Sequence, residues 1–223
     1  MLVVAVITAL SLCAAEDAPA VGRSDDAWRH VKIGKMNIEN VSICELTAEL
    51  SEKADFPIHL ICTNWTTPQL PRFQLPEDAT LGQAFDTIRK SVPELRAKNV
   101  GTRLIWNSLG DAPFTRALER RLDSKLVSGT LDDVMNEVFG EDFKVAGSPK
   151  LPNSRVNGDA LHIHLRSTGT TPRLDALVVA AEDAEARITL FVGAAENLLD
   201  GDARSTLICV GFDFARRRKV KKE

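Results

Sequence analysis

Two imidazoles occupy alternate positions in Leu161-His-Ile-His-Leu165. Alternate residues of a strand project from one face, so His162 and His164 are spaced to share a metal ion, as a small metal-dependent hydrolase would require. Two ligands fall short of a site. No HExxH motif or third ligand at a defined spacing accompanies them, and Asp159 is the only nearby acid. A solvated strand face between core residues Leu161, Ile163 and Leu165 explains the same alternation, and on that reading the chain holds no metal.

Other chemistry is thin. Ser124, Ser128 and Ser154 lack the Gly-x-Ser-x-Gly context of an activated serine, and the chain has no GxGxxG, P-loop or CxxC motif. Tyrosine is absent, which removes one common proton donor. Asp132-Asp133 and Glu141-Asp142 are paired acids, but the first pair lies in the first turn of a helix, where the dipole favours negative charge, and a structural explanation suffices for them. Asn40-Val-Ser42 and Asn64-Trp-Thr66 fit the N-glycosylation pattern, which matters only in a eukaryotic export route. Trp28 and Trp65 are candidate ligand contacts, whereas Trp106 falls at an expected core position. No catalytic residue and no cofactor is called for.

The N-terminus carries a stronger signal. Leu2–Ala15 is apolar or small apart from Thr8 and Ser11, and Glu16-Asp17 follows. The run is too short to span a bilayer and has the length of a signal-peptide core, with cleavage expected after Ala15 or near Ala18-Pro19-Ala20. Residues 1–20 are therefore expected to be an export signal, although no Lys or Arg precedes the run. Leu10-Ser-Leu-Cys13 is the alternative, a lipid anchor through Cys13, with Leu12 where a lipobox takes a small residue. The mature chain is expected to be periplasmic or secreted, without a membrane span.

About two hundred residues then remain, enough for substantial cores, and 44% apolar with 26% charged residues is ordinary globular chemistry. Arg216–Lys222 holds six of the 28 basic residues, and one of the 31 acids lies beyond Ala215. That leaves 22 bases against 30 acids over residues 1–215, a formal −8. An acidic body repels phosphate, which argues against a nucleic-acid partner. The tail, residues 216–223, reads as solvated and able to make weak contacts with anionic surfaces.

Residues 21–30 read as a linker, with order beginning near Val31. Val31 and Ile33 suggest a short strand. Asn40-Val-Ser42 opens a helix whose face is Ile43, Leu46, Leu50 and Ala54, and Phe56, Ile58 and Leu60 then alternate with Pro57, His59 and Ile61 as a strand with its proline at the start. Phe73–Leu75 is extended. Thr80-Leu-Gly-Gln83 has the form of a capping box, followed by Leu81, Phe85, Ile88 and Val92 at helical spacing, then a strand over Arg103–Trp106. The order is strand, helix, strand, strand, helix, strand.

Part of this pattern returns. Thr80-Leu-x-x-Ala-Phe-Asp-x-Ile88 reappears as Thr130-Leu-x-x-Val-Met-Asn-x-Val138, with Gly140 at the helix end. Lys125–Val127 then matches Phe73–Leu75, and Leu161–Leu165 matches Arg103–Trp106. Residues 172–186 fit either a Thr171-Pro172-capped helix or a hairpin with Ile188–Val192. Ser205–Phe214 reads as a final strand. The expected class is α+β, with βαββαβ-like modules in tandem and a β-rich C-terminal segment, divided at 31–108, 109–166 and 167–215.

Val41-Ser-Ile-Cys-Glu-Leu-Thr-Ala-Glu-Leu50, Phe56-Pro-Ile-His-Leu60, Phe73-Gln-Leu75 and Asp78-Ala-Thr-Leu-Gly-Gln-Ala-Phe85 together carry a resemblance. Over residues 31–107 the chain resembles the secretin and TonB short N-terminal domain, and 110–166 would be a partial second copy. The resemblance implies a non-catalytic module that binds another envelope protein, in some relatives by adding a strand to a sheet edge. No pore segment or receptor barrel follows in this sequence, so secretion and receptor activity are not implied.

With Cys13 removed by cleavage, Cys44, Cys62 and Cys209 remain. From Cys44 to Ala54 the helix advances roughly 15 Å, and from Pro57 to Cys62 the strand returns roughly 17 Å, so the two sulfurs should meet. A Cys44–Cys62 disulfide is expected in an oxidising compartment, closing about 19 residues and stabilising the module by roughly 3 kcal/mol. Two free core thiols remain the alternative, and Cys209 stays unpaired.

Overall fold

The computed structural model describes residues 26–63, 69–100, 103–108, 113–147, 161–193 and 205–213. Residues 1–20, where an export signal is expected, the basic tail 216–223, Trp65, Ser154 and Asp159 lie outside the described residues. The fold is α+β.

Its first half runs β1 (Met36–Ser42), α1 (Ile43–Ala54), β2 (Ile58–Thr63), β3 (Gln69–Leu75), α2 (Leu81–Ser91), β4 (Arg96–Val100) and β5 (Arg103–Asn107). Both helices start at boxes written in the sequence. Ser42 Oγ accepts the Glu45 N–H while Glu45 accepts the Ser42 N–H, and Thr80 and Gln83 do the same at 3.3 and 2.9 Å. Strands β1 and β3 pair antiparallel, while β5 pairs with β2 in parallel and with β4 antiparallel.

After the short helix α3 (Pro113–Leu118), the second half runs β6 (Lys125–Thr130), α4 (Leu131–Phe139), β7 (Lys144–Ala146), β8 (His162–Ser167), α5 (Arg173–Asp183), β9 (Ala186–Gly193) and β10 (Thr206–Asp213). Here β6 pairs antiparallel with β8, and β10 pairs in parallel with β7 and antiparallel with β9. Each pairing in the first half has its counterpart in the second. The segment expected to be a partial copy over 109–166 is thus part of a complete second unit that extends to Asp213.

Correspondence also shifts by half a unit. Thr130 opens α4, which holds the place of α1, whereas the sequence pairs it with Thr80 of α2. Each unit is itself two strand-helix pieces with the same need for an N-cap, so a capping pattern matches a neighbouring half as readily as its true counterpart.

One six-stranded sheet joins the units in the order β4-β5-β2-β9-β10-β7. Strand β2 runs parallel to β9, with Leu60 opposite Thr189 and Thr63 opposite Val192. Strand order is the same in both halves, but strand direction is reversed. Ile58, Leu60, Leu104 and Trp106 enter the core under α1 and α2, whereas Ile188, Leu190, Leu207 and Cys209 enter the core under α4 and α5. The second unit is therefore the first turned half a revolution about an axis across the strands and shifted by three strands. Both sheet faces are buried as a result, and β9 is buried along Ala186–Val192 on both faces, Arg187 and Thr189 included.

Three expectations change. Residues 26–30 are not linker: Ala27–His30 forms a 3-10 turn, and Trp28 is buried against Phe85 and Trp106 at 5.4 and 6.4 Å. Val31–Ile33 makes only an isolated bridge, Lys32 to Thr80, and the strand begins at Met36. Between the second helix and Arg103 lies an additional strand, β4, whose Arg-Ala-Lys-Asn-Val has no apolar alternation to announce it. Residues 173–183, left open between helix and hairpin, are helical, followed directly by β9.

Candidate functional site

Strand β8 alternates, with Ile163 and Leu165 buried and His162, His164 and Arg166 exposed. His164 Nδ1 lies 2.9 Å from Ser128 Oγ on the neighbouring strand β6, its cross-strand partner in register. Among the described residues no cluster of three His, Cys, Asp or Glu is arranged to hold a metal, and no carboxylate reaches the other ring nitrogen of His164. The two histidines share a face as expected, but they sit on open surface.

The acidic pairs have structural partners. Asp133 closes the capping box of Thr130. Asp142 binds Arg173, which is 7% exposed at its side chain, and Arg120 at 3.1 Å, tying α5 to the end of α4. Trp28 and Trp106 are core residues.

Cys44 and Cys62 sit on α1 and β2, which pack together. Cys44 is the second residue of α1 and half-buried. Cys62 in β2 is 1% exposed and donates to the Leu190 carbonyl oxygen at 3.7 Å. The neighbouring Cys62 draws the Cys44 thiol below its ordinary value, and the charge of Arg187 in β9 adds to this, against burial. The neighbouring Cys44 and burial push the Cys62 thiol up. Arg187 is itself 7% exposed, and burial lowers it to about 10. Both sulfurs are free thiols in this structure, as is Cys209, which burial raises.

A second polar cluster, silent in the sequence, lies at the joint of the two units. His59 in β2 is 1% exposed; its Nε2 lies 2.9 Å from Glu182 of α5, and its Nδ1 accepts the Ile188 N–H at 3.2 Å. Arg103 of β5 reaches the same carboxylate at 3.0 Å. Burial lowers the His59 pKa, and the Glu182 carboxylate opposes the shift.

Strand β4 ends the sheet among the described residues. Beside it a groove of about 400 Å³ is lined by Trp28, Arg29, Phe85, Arg89, Arg96 and Asn99, with one carboxylate, Asp26, and Ala97 completing the wall. Arg29 stacks over Trp28 at 5.2 Å and binds Asp86 at 2.6 Å, and Arg89 lies 5.9 Å from the Phe85 ring. Arg96 donates to the carbonyls of Pro93 and Leu95. Neither Arg89 nor Arg96 meets a carboxylate among the described residues. On the opposite side of the strand Lys98 is held by Asp175 at 2.9 Å and Glu119 at 3.3 Å.

Among the described residues no helix is long and apolar enough to cross a membrane. Comparison with protein-family models, with curated proteins and with solved structures finds no match to this chain.

Proposed function

We propose that the protein is an exported, non-catalytic interaction module of the cell envelope, akin to the short N-terminal domain it resembles, and that it holds a protein partner by strand addition along β4. The observation that carries this reading is the position of β4 at the end of the sheet among the described residues, beside the arginine-containing groove. A sheet edge presents a row of unpaired N–H and C=O groups that an extended segment satisfies, and pockets beside the edge select its side chains. Arg89 and Arg96 favour an acidic segment, with Trp28 and Phe85 giving its apolar side chains a surface. The opposite end of the sheet, β7, is only three residues long and offers a shorter ladder.

A photo-crosslinking residue at Ala97 of the exported protein tests this. One partner adduct, lost when Arg89 and Arg96 are changed to Ala, is the expected result. Equal adducts from Ser128, on exposed β6, defeat the assignment of the edge. Export is tested separately by N-terminal sequencing of native material, expected to begin near Glu16 or Val21; intact Met1 counts against it.

A further inference from the structure

We infer that the outer face of the β6–β8 ribbon and the basic tail that follows β10 form one docking surface for an anionic membrane leaflet. This surface lies on the second unit and does not depend on strand addition at β4, so the two readings fail separately.

The ribbon turns Leu126, Ser128, His162, His164 and Arg166 outward. Leu126 is 70% exposed, and among the described residues no other large apolar side chain is exposed. It stands opposite Arg166 in register, as Ser128 stands opposite His164. Arg166 meets no carboxylate among the described residues. The acids of α4 that approach the ribbon reach its other side. Glu137 holds Lys125 at 2.9 Å, and a Cβ at Gly129 would stand 3.2 Å from Asp133 Cβ. Lys125 and Gly129 alternate with Leu126 and Ser128, so these carboxylates stand behind the exposed face. The first unit has a ribbon of the same pairing, β1–β3, whose face is self-matched: Glu39 lies opposite Arg72, and the Asn37 and Gln74 side chains are 2.8 Å apart.

The tail leaves the fold at the same ribbon. Strand β10 ends at Asp213, and two residues earlier a Cβ at Gly211 would stand 2.6 Å from Leu161 Cδ2 and 3.4 Å from Leu131 Cδ2. Leu161 leads into His162 of β8, and Leu131 follows Thr130 of β6. Arg216 comes three residues after Asp213, within about 10 Å of extended chain, and opens the run of six cations that ends at Lys222. Residues 1–215 carry 22 bases against 30 acids. An anionic surface repels that body and attracts the tail, which orients the molecule with this end toward the surface.

Leu126 decides the chemistry of the partner. A soluble polyanion satisfies Arg166 and the tail but offers nothing to an exposed leucine. A leaflet offers both, because anionic headgroups overlie an apolar layer. Leu126 enters that boundary while Arg166 and the histidine rings, apolar in the body and polar at the tip, keep their polar ends among the headgroups. One apolar side chain holds a membrane weakly and reversibly, so the tail supplies the second contact and keeps the ribbon concentrated at the surface.

The experiment sediments the exported protein, its N-terminus checked by sequencing, with vesicles of phosphatidylcholine alone or mixed equally with phosphatidylglycerol. Binding is expected on the mixed vesicles, weakening as salt is raised, with little on phosphatidylcholine. Leu126→Ser should lower the partition coefficient roughly tenfold and Arg166→Gln roughly fivefold, and removal of residues 216–223 should lower it further than either. Arg72→Gln takes the same charge from the ribbon of the first unit and should leave the partition within about twofold. All three substituted side chains are exposed, so folding survives the changes. In Leu126→Trp the mixed vesicles should shift the emission to the blue relative to wild type, and soluble polyglutamate should not. Equal binding to both kinds of vesicle, wild-type binding by Leu126→Ser, or equal losses from Arg72→Gln and Arg166→Gln would each overturn the inference. Binding to polyglutamate without binding to mixed vesicles would overturn it too, in favour of an acidic macromolecule.

Discussion

His59 and Glu182 stand 123 residues apart in the chain and 2.9 Å apart in the fold, on opposite sides of the joint between the two units. Since the Ile188 N–H can only donate, His59 Nδ1 is the acceptor and Nε2 carries the proton offered to Glu182. The imidazole is thus held neutral with both nitrogens used. Protonating Nδ1 would set two donors against each other.

Acid should therefore loosen the joint. Burial holds the His59 pKa below its ordinary 6.5, so between the two values the unfolded chain binds more protons than the folded one. Its contribution to stability is fully present above pH 6.5 and is lost as pH falls through the folded value. Urea denaturation at about pH 7.5 and about pH 5.5 should show a lower midpoint at the acid end. His59→Gln should be weaker by about 1–3 kcal/mol near neutrality, because the geometry of both hydrogen bonds is disturbed, and flatter across this window. An equal pH slope in the variant would assign the acid sensitivity elsewhere.

Gly82 seats the N-terminal turn on α2. A Cβ there would stand 2.8 Å from Arg29 Cβ and 2.9 Å from the Arg29 carbonyl oxygen, and backbone cannot yield as a side-chain tip can. Gly82→Ala should cost roughly 1–3 kcal/mol in spite of its better helix propensity, and should speed tryptic cleavage at Arg29 as Trp28 is displaced. Unchanged cleavage with unchanged stability would show that the turn adapts.

Thr130 begins α4 through the Asp133 box, so Thr130→Ala should cost about 1 kcal/mol while Thr130→Ser costs only a few tenths. Thr80→Ala should cost a similar amount, and the two losses should add, since the caps share no partner. Thermal denaturation of the singles and the double variant checks both statements.

Replacing His162 and His164 together by Gln should leave the melting temperature unchanged within error, because both lie exposed on β8. Metal analysis of the purified wild type supplies the stronger check. Stoichiometric zinc that disappears in the double variant would restore the hydrolase reading.

Periodicity and capping made much of the local structure legible. Leu46 and Leu50 announce α1, Thr80 and Gln83 its successor α2, and the alternation of β8 needs nothing beyond its own six residues. What the sequence could not announce depends on segments far apart in the chain. Polar β4 becomes a strand by pairing with β5, Trp28 is drawn inward by Phe85 and Trp106, and β9, Arg187 and Thr189 included, is buried on both faces only because the second unit lies reversed against the first. His59 reads alike in an exposed or a buried strand. Only the arrival of Glu182 and Ile188 from the other unit compensates the cost of removing its two nitrogens from water, and that cost can be met only in the assembled fold.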